Sequence, residues 1–189
     1  ASAIRADGTL FLWPPIKTND PAQAARYHKP VENKEFSLIQ TSYNYGQLLS
    51  VQTDGTLFYY GLNDHGQGLG ESNGERYGLP SRRGTIALEA KAVQAGCGVG
   101  YCAAVDENGA LWMWGCGEKG QLGNGQLEDA AAPVKVMDGV AQVACGFSHT
   151  VALKTDGTVW CWGGGGEGQI GPNAFGQADD FLSLIHISE

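Results

Sequence analysis

The chain is 189 residues long, 42% hydrophobic and only 17% charged, with 29 glycines. That is enough apolar material for a folded unit with a core, and too little charge for a disordered chain. The net charge of −8 leaves no basic stripe for a phosphate backbone, so this segment is expected to make no direct contact with nucleic acid.

Taken in chain order, four segments repeat one pattern: Arg5 to Trp13 (RADGTLFLW), Gln52 to Tyr60 (QTDGTLFYY), Asp106 to Trp114 (DENGALWMW) and Lys154 to Trp162 (KTDGTVWCW). Their anchors, Gly8, Gly55, Gly109 and Gly157, recur after 47, 54 and 48 residues. Asp-Gly or Asn-Gly between apolar runs predicts a hairpin with a two-residue loop, both central residues at positive φ. Thr150 to Leu153 and Thr158 to Trp162 are then antiparallel strands. A further strand precedes them at Val140 to Ala144, and another is expected near Val134 to Val136.

Eleven residues after Gly55, Gly109 and Gly157 comes a Gly-Gln pair: Gly66-Gln67, Gly120-Gln121 and Gly168-Gln169. The first unit departs from this. It has Pro14-Pro15 after Trp13, no Gly-Gln, and an irregular connection from Pro14 to Pro30. Phe11, Phe58, Trp112 and Trp160 share one strand face with Trp13, Tyr60, Trp114 and Trp162. Leu12, Tyr59, Met113 and Cys161 point the other way. Aromatics on one face at period two predict sheets packed face to face on that side.

The repeat divides the chain into residues 1–33, a partial first unit with its connection; 34–87, with an insertion loop at 71–86; 88–137; and 138–181. Residues 182–189 (LSLIHISE) resemble a translated transposase sequencing adapter and are set apart as a tail. With no initiating Met, and an end just past the fourth Gly-Gln pair, the chain is expected to be part of a longer protein. An open arc would leave an aromatic face and a strand edge uncovered, so the isolated segment is expected to aggregate or fold incompletely.

The sequence His149-Thr-Val-Ala-Leu153, then Thr155-Asp-Gly-Thr158, Trp160-x-Trp-Gly163 and Gly168-Gln-Ile-Gly171, resembles the repeat of the regulator-of-chromosome-condensation family. The resemblance covers most of residues 36–171 and, more weakly, 1–13. It implies an all-β fold: a partial β-propeller, an open arc of roughly three to four antiparallel blades from a ring that normally has about seven. It also implies a range of roles. Some members are non-catalytic scaffolds for protein partners, including parts of ubiquitin ligases. The best known are guanine-nucleotide exchange factors for a small GTPase, and others are microbial or phage surface propellers. The matching residues are all blade residues, so no exchange-specific residue carries over. The family His appears only as His149, with Gln47 and Tyr101 at its equivalent places.

No paired acid and base and no activated nucleophile stands out, so no catalytic residues, no cofactor and no enzymatic activity are expected. Asp7, Asp54 and Asp156 lack calcium-loop spacing and read as turn residues. Gly163 to Gly166 lacks the Lys-Ser/Thr of a phosphate loop. His65 has one neighbouring Asp and no evident convergent partner, so no metal site is expected. Cys97 and Cys145 hold equivalent places in successive units and are expected to stay unpaired. The candidate partner-binding residues are Arg76, Tyr77, Arg82 and Arg83, in the insertion. They hold a quarter of the 12 basic residues and lie where a propeller presents loops on one face. No run of about 18 apolar residues suggests a membrane span.

Overall fold

In the computed structural model, which describes residues 2–12, 31–33, 38–44, 47–68, 82–166, 168–169 and 183–185, all regular structure is β-strand. The strands form four antiparallel meanders in chain order. The first contains β1 (Ser2–Ile4), β2 (Leu10–Leu12) and β3 (Val31–Asn33). The second contains β4 (Leu38–Asn44), β5 (Gln47–Gln52), β6 (Leu57–Gly61) and β7 (Arg82–Ile86). The third contains β8 (Ala92–Cys97), β9 (Tyr101–Asp106), β10 (Leu111–Gly115) and β11 (Ala130–Met137). The fourth contains β12 (Val140–Cys145), β13 (His149–Lys154), β14 (Val159–Gly163) and β15 (Ser183–Ile185). The first strands of successive sheets lie side by side, β8 against both β4 and β12, as in an arc of propeller blades that is not closed. Among the described residues no helix is long and apolar enough to cross a membrane.

The hairpin turns differ from the two-residue expectation. In the second sheet Gly55 N bonds Gln52 O at 3.0 Å and Gln52 N bonds Thr56 O at 2.8 Å, leaving a three-residue loop. The same pair of bonds recurs around Gly8, Gly109 and Gly157. Each anchor glycine, at φ between 77 and 87°, supplies the left-handed residue that follows a type I turn. The Asp side chain closes the loop: Asp54 Oδ1 accepts from Thr56 N at 2.9 Å and Asp156 Oδ1 from Thr158 N at 2.9 Å. The turns also tie sheet to sheet, since the carbonyls of Gly8, Gly55 and Gly109 accept from Leu38 N, Ala92 N and Val140 N of the next sheet.

The aromatic column of the middle sheet packs against the neighbouring sheet as expected, and its opposite face is buried as well. Trp112 and Trp114 pack with Tyr59, Leu49 and Leu57 of the preceding sheet, while Met113 and Leu111 on the opposite face pack with Trp162 and Val143 of the next. Each sheet therefore inserts its large aromatics backward and receives those of its successor on smaller side chains. Tyr60 departs from this burial and is 42% exposed.

A second device joins the sheets near their first strands. β4, β8 and β12 each carry a register shift at one repeat position, just before Gln40, Gln94 and Gln142. Such bulges re-aim a side chain. Gln40 grips the main chain of Ala95 in the next sheet, accepting from its N at 2.7 Å and donating to its O at 3.0 Å. Gln94 does the same to Val143, at 2.9 and 3.4 Å.

None of the five cysteines is in a disulfide, and Cys97 lies opposite Cys102 in the β8–β9 register. Of the tail set apart above, Ser183–Ile185 forms β15 and pairs with β14, Ser183 opposite Cys161 and Ile185 opposite Val159.

Candidate functional site

The meander puts the Asp-Gly turns at one end of the sheets and the connections 62–68, 98–100, 116–129 and 146–148 at the other. The Gly-Gln pairs lie at this second end. Gln67 is buried, its Oε1 accepting from His65 N at 2.8 Å and its Nε2 donating to Asp64 Oδ1 at 2.7 Å. Gln121 repeats the inner bond, accepting from Lys119 N at 2.8 Å. The main-chain carbonyl of each then receives the next sheet: Trp114 Nε1 donates to Gln67 O and Trp162 Nε1 to Gln121 O, both at 2.9 Å. Gly66, Gly120 and Gly168 all have positive φ, and Gln169, last of the three glutamines, is exposed.

Between the second, third and fourth sheets the connections enclose a groove of about 440 Å³. Asp64, His65, Glu118, Lys119 and Ser148 line it, and Phe147, 63% exposed, stands at its rim. Tyr101 reaches into the fourth sheet, its hydroxyl donating to His149 O at 2.5 Å with Gly146 O a second acceptor 3.2 Å away. Gln47, at the same repeat position one sheet earlier, donates to Gly98 O at 2.7 Å. The residues that hold the His149 position in the second and third sheets thus bridge each sheet to the next. Burial pushes the phenols of Tyr59 and Tyr101 far above the usual value, so both stay neutral hydrogen-bonding groups.

One wall of the groove holds a convergence that the sequence did not reveal. His65 Nδ1 lies 2.7 Å from Asp129 Oδ2, and ligand atoms of His65, Cys116 and Asp129 fall within 4.8 Å of one another. The three come from connections of two different sheets, 51 and 13 residues apart in the chain. The only signal along the sequence was the place of His65 just before a Gly-Gln pair, where one sheet meets the next.

The insertion residues Arg76 and Tyr77 lie outside the described residues, as does Trp13. Arg82 and Arg83 open β7, with their main chains paired to Gly61 and Tyr60. Sequence reasoning also missed Asp106. It is 3% exposed and accepts from Asn108 N, Ala110 N and Trp112 Nε1 at 2.9 to 3.0 Å. It replaces the turn Asp that this repeat lacks, where Asn108 stands instead.

The family model described as the regulator of chromosome condensation (RCC1) repeat matches residues 108–153, and a second of the same description matches 140–169. The probable E3 ubiquitin-protein ligase HERC3 of Homo sapiens is 33% identical over 144 residues, covering 72% of this chain and 13% of that protein. The human regulator of chromosome condensation is 35% identical over 88 residues, covering 46% of this chain and 20% of its own. Among solved structures, Prp20p from Saccharomyces cerevisiae, whose binding properties to Gsp1p and histones are described with it, superposes at a TM-score of 0.78 with 19% identity, covering 100% of this chain and 48% of that one. Human WBSCR16 superposes at 0.72 with 22% identity, covering 98% and 50%. The chain thus spans about half of each of these structures, and a fifth or less of the curated relatives.

Proposed function

Because the chain belongs to the regulator of chromosome condensation repeat family, we propose that it acts as a rigid, non-catalytic scaffold holding a protein partner at the loop end of its sheets. The observation that carries this reading is the 440 Å³ groove with the 63%-exposed Phe147 at its rim. An exposed aromatic beside a concavity, on connections pinned by buried Gln67 and Gln121, has the form of an interface anchor on a preorganised support. Asp64 and Glu118 on the groove beside Lys119, Asp129 next to it, and the chain's net charge of −8 favour a basic partner surface. Arg76 and Tyr77 in the connection from β6 to β7, with Arg82 and Arg83 at the start of β7, would supply a second contact, of opposite charge at the arginines.

The test compares proteins captured from its source by the wild-type chain, by Phe147→Ala, and by Arg82→Ala with Arg83→Ala, quantified at two salt concentrations. A discrete set lost with Phe147→Ala and weakened by salt supports the reading. An identical set on all three proteins overturns it.

Nucleotide exchange on a small GTPase is the second reading, favoured by the 35% identity to the human regulator of chromosome condensation. Faster release of a fluorescent GDP from a purified GTPase on adding the chain would support exchange over a purely structural role.

A further inference from the structure

We propose that His65, Cys116 and Asp129 form a binding site for a zinc-class divalent cation, clamped between the second and third sheets at the wall of the groove. Each ligand is already held in place by a main-chain bond. His65 N donates to Gln67 Oε1 at 2.8 Å, Cys116 N donates to Gly100 O at 2.8 Å, and Gly117 N donates to Asp129 Oδ1 at 3.0 Å. The last bond occupies one carboxylate oxygen and turns the other, Oδ2, toward the imidazole. The His65 ring is seated on Gly100, where any Cβ would come within 2.8 Å of His65 Cδ2. A side chain at that position would displace the ring.

The donor set selects the ion. Thiolate sulfur, imidazole nitrogen and one carboxylate oxygen suit a borderline-soft metal such as Zn²⁺ and not Ca²⁺ or Mg²⁺, which take oxygen shells. Tetrahedral Zn²⁺ would hold such atoms roughly 3.3 to 3.6 Å apart, from bond lengths near 2.0 Å to N and O and 2.3 Å to S. The present atoms, all within 4.8 Å with the closest pair 2.7 Å apart, reach that spacing by movements of about an ångström or less. His65 Nε2 lies 3.9 Å from Asp64 Oδ2, beyond hydrogen-bond length, so a carboxylate stands near the ring nitrogen turned away from Asp129 without yet bonding it. Three protein ligands leave a fourth position for water on the groove side, where Glu118 also lies. Cys116 is nearly buried while Asp129 is exposed, so the ion would reach the thiol past the exposed carboxylate.

The consequence is mechanical. An ion on His65 of one sheet and on Cys116 and Asp129 of the next adds a cross-link beside the Trp114–Gln67 bond, and binding to the folded state alone stabilises it by mass action.

The test uses the whole chain, stripped with a chelator and titrated with Co²⁺ and then Zn²⁺ alone. One equivalent of Co²⁺ is expected to give tetrahedral d–d bands and a thiolate-to-cobalt charge-transfer band, both removed by Zn²⁺. Cys116→Ser should abolish the charge-transfer band. His65→Asn and Asp129→Asn, on surface connections, should each weaken binding roughly tenfold or more. A variant with Cys97, Cys102 and Cys145 changed to Ser should keep the band, and Zn²⁺ should raise Tm of the wild type but not of Cys116→Ser. Absence of the band, or a band that survives Cys116→Ser, overturns the proposal. So does binding indifferent to His65→Asn and Asp129→Asn.

Discussion

The indole Nε1 of Trp114 donates to the main-chain carbonyl of Gln67 in the preceding sheet at 2.9 Å, and both residues are buried. Trp162 repeats this on Gln121. The Trp-x-Trp-Gly and Gly-Gln elements are therefore two halves of one joint, made between successive sheets and not within a sheet. Trp114→Phe keeps most of the buried ring and removes the donor, leaving a buried carbonyl unpaired at a cost of about 1–3 kcal/mol. Urea unfolding of this variant should show a lower midpoint than Trp160→Phe, whose indole bonds only Thr158 Oγ1 of its own turn.

The glutamine clamps give a paired prediction. Gln94→Ala strips the partner from Val143 N, which lies in a buried residue, and should cost about 1–3 kcal/mol. Gln142 holds the equivalent position in β12 but is exposed, so Gln142→Ala should stay within about 0.5 kcal/mol of the wild type. Equal effects of the two changes in thermal or urea unfolding would refute the clamp.

Asp106 makes stability depend on acid. Burial pushes its carboxyl up, but the hydrogen bonds from Trp112, Ala110 and Asn108 and the charge of Lys135 together outweigh burial and hold it below the usual range. Its contribution is therefore fully present above the unfolded-state value of about 3.9 and is lost as pH falls through the lower folded-state value. Asp106→Asn turns an amide N–H toward a donor and should lower stability near neutral pH by about 1–3 kcal/mol. The gap in Tm between the two proteins should narrow as pH drops below about 4. A gap constant with pH would assign the loss to packing instead.

Gly115 ends β10 at φ +97°, and a Cβ there would meet the carbonyl oxygen of Gly100 and the Cβ of Gln67. Gly115→Ala should cost about 2–4 kcal/mol, from left-handed strain together with overpacking. Gly125 has φ +80° but nothing within 4 Å of its Cβ position, so Gly125→Ala isolates the conformational part. Soluble yield and urea midpoints should fall in the order wild type, Gly125→Ala, Gly115→Ala.

Burial pushes the thiols of Cys102 and Cys145 well above their ordinary value, so neither supplies much thiolate near neutral pH. Ellman's reagent should modify Cys102 only as fast as the second and third sheets separate and Cys145 only as fast as the third and fourth do, and both rapidly in denaturant. Fast labelling of either in the native protein would contradict the packing between those sheets.

The repeat was readable along the chain because it is local. A turn needs glycine at a left-handed residue, a strand needs alternation, and both recur wherever the chain makes the same hairpin. Those features marked the strands at Val140 to Ala144, Thr150 to Leu153 and Thr158 to Trp162, and they named Trp114, Trp162, Gln67 and Gln121 as repeat positions. They misjudged the loop by one residue, since Asp-Gly suits a type I turn followed by a left-handed glycine as readily as a two-residue loop. They also placed a sheet-to-sheet contact on the aromatic column, and each middle sheet lies between two others. Only the tertiary structure decided what meets between sheets. The grip of Gln94 on Val143 repeats that of Gln40 on Ala95 but is made across sheets, and the meeting of His65 with Cys116 and Asp129 joins residues that no period relates. Local propensity acts within a few residues, whereas these contacts depend on which side chains two separately folded sheets turn toward their shared groove.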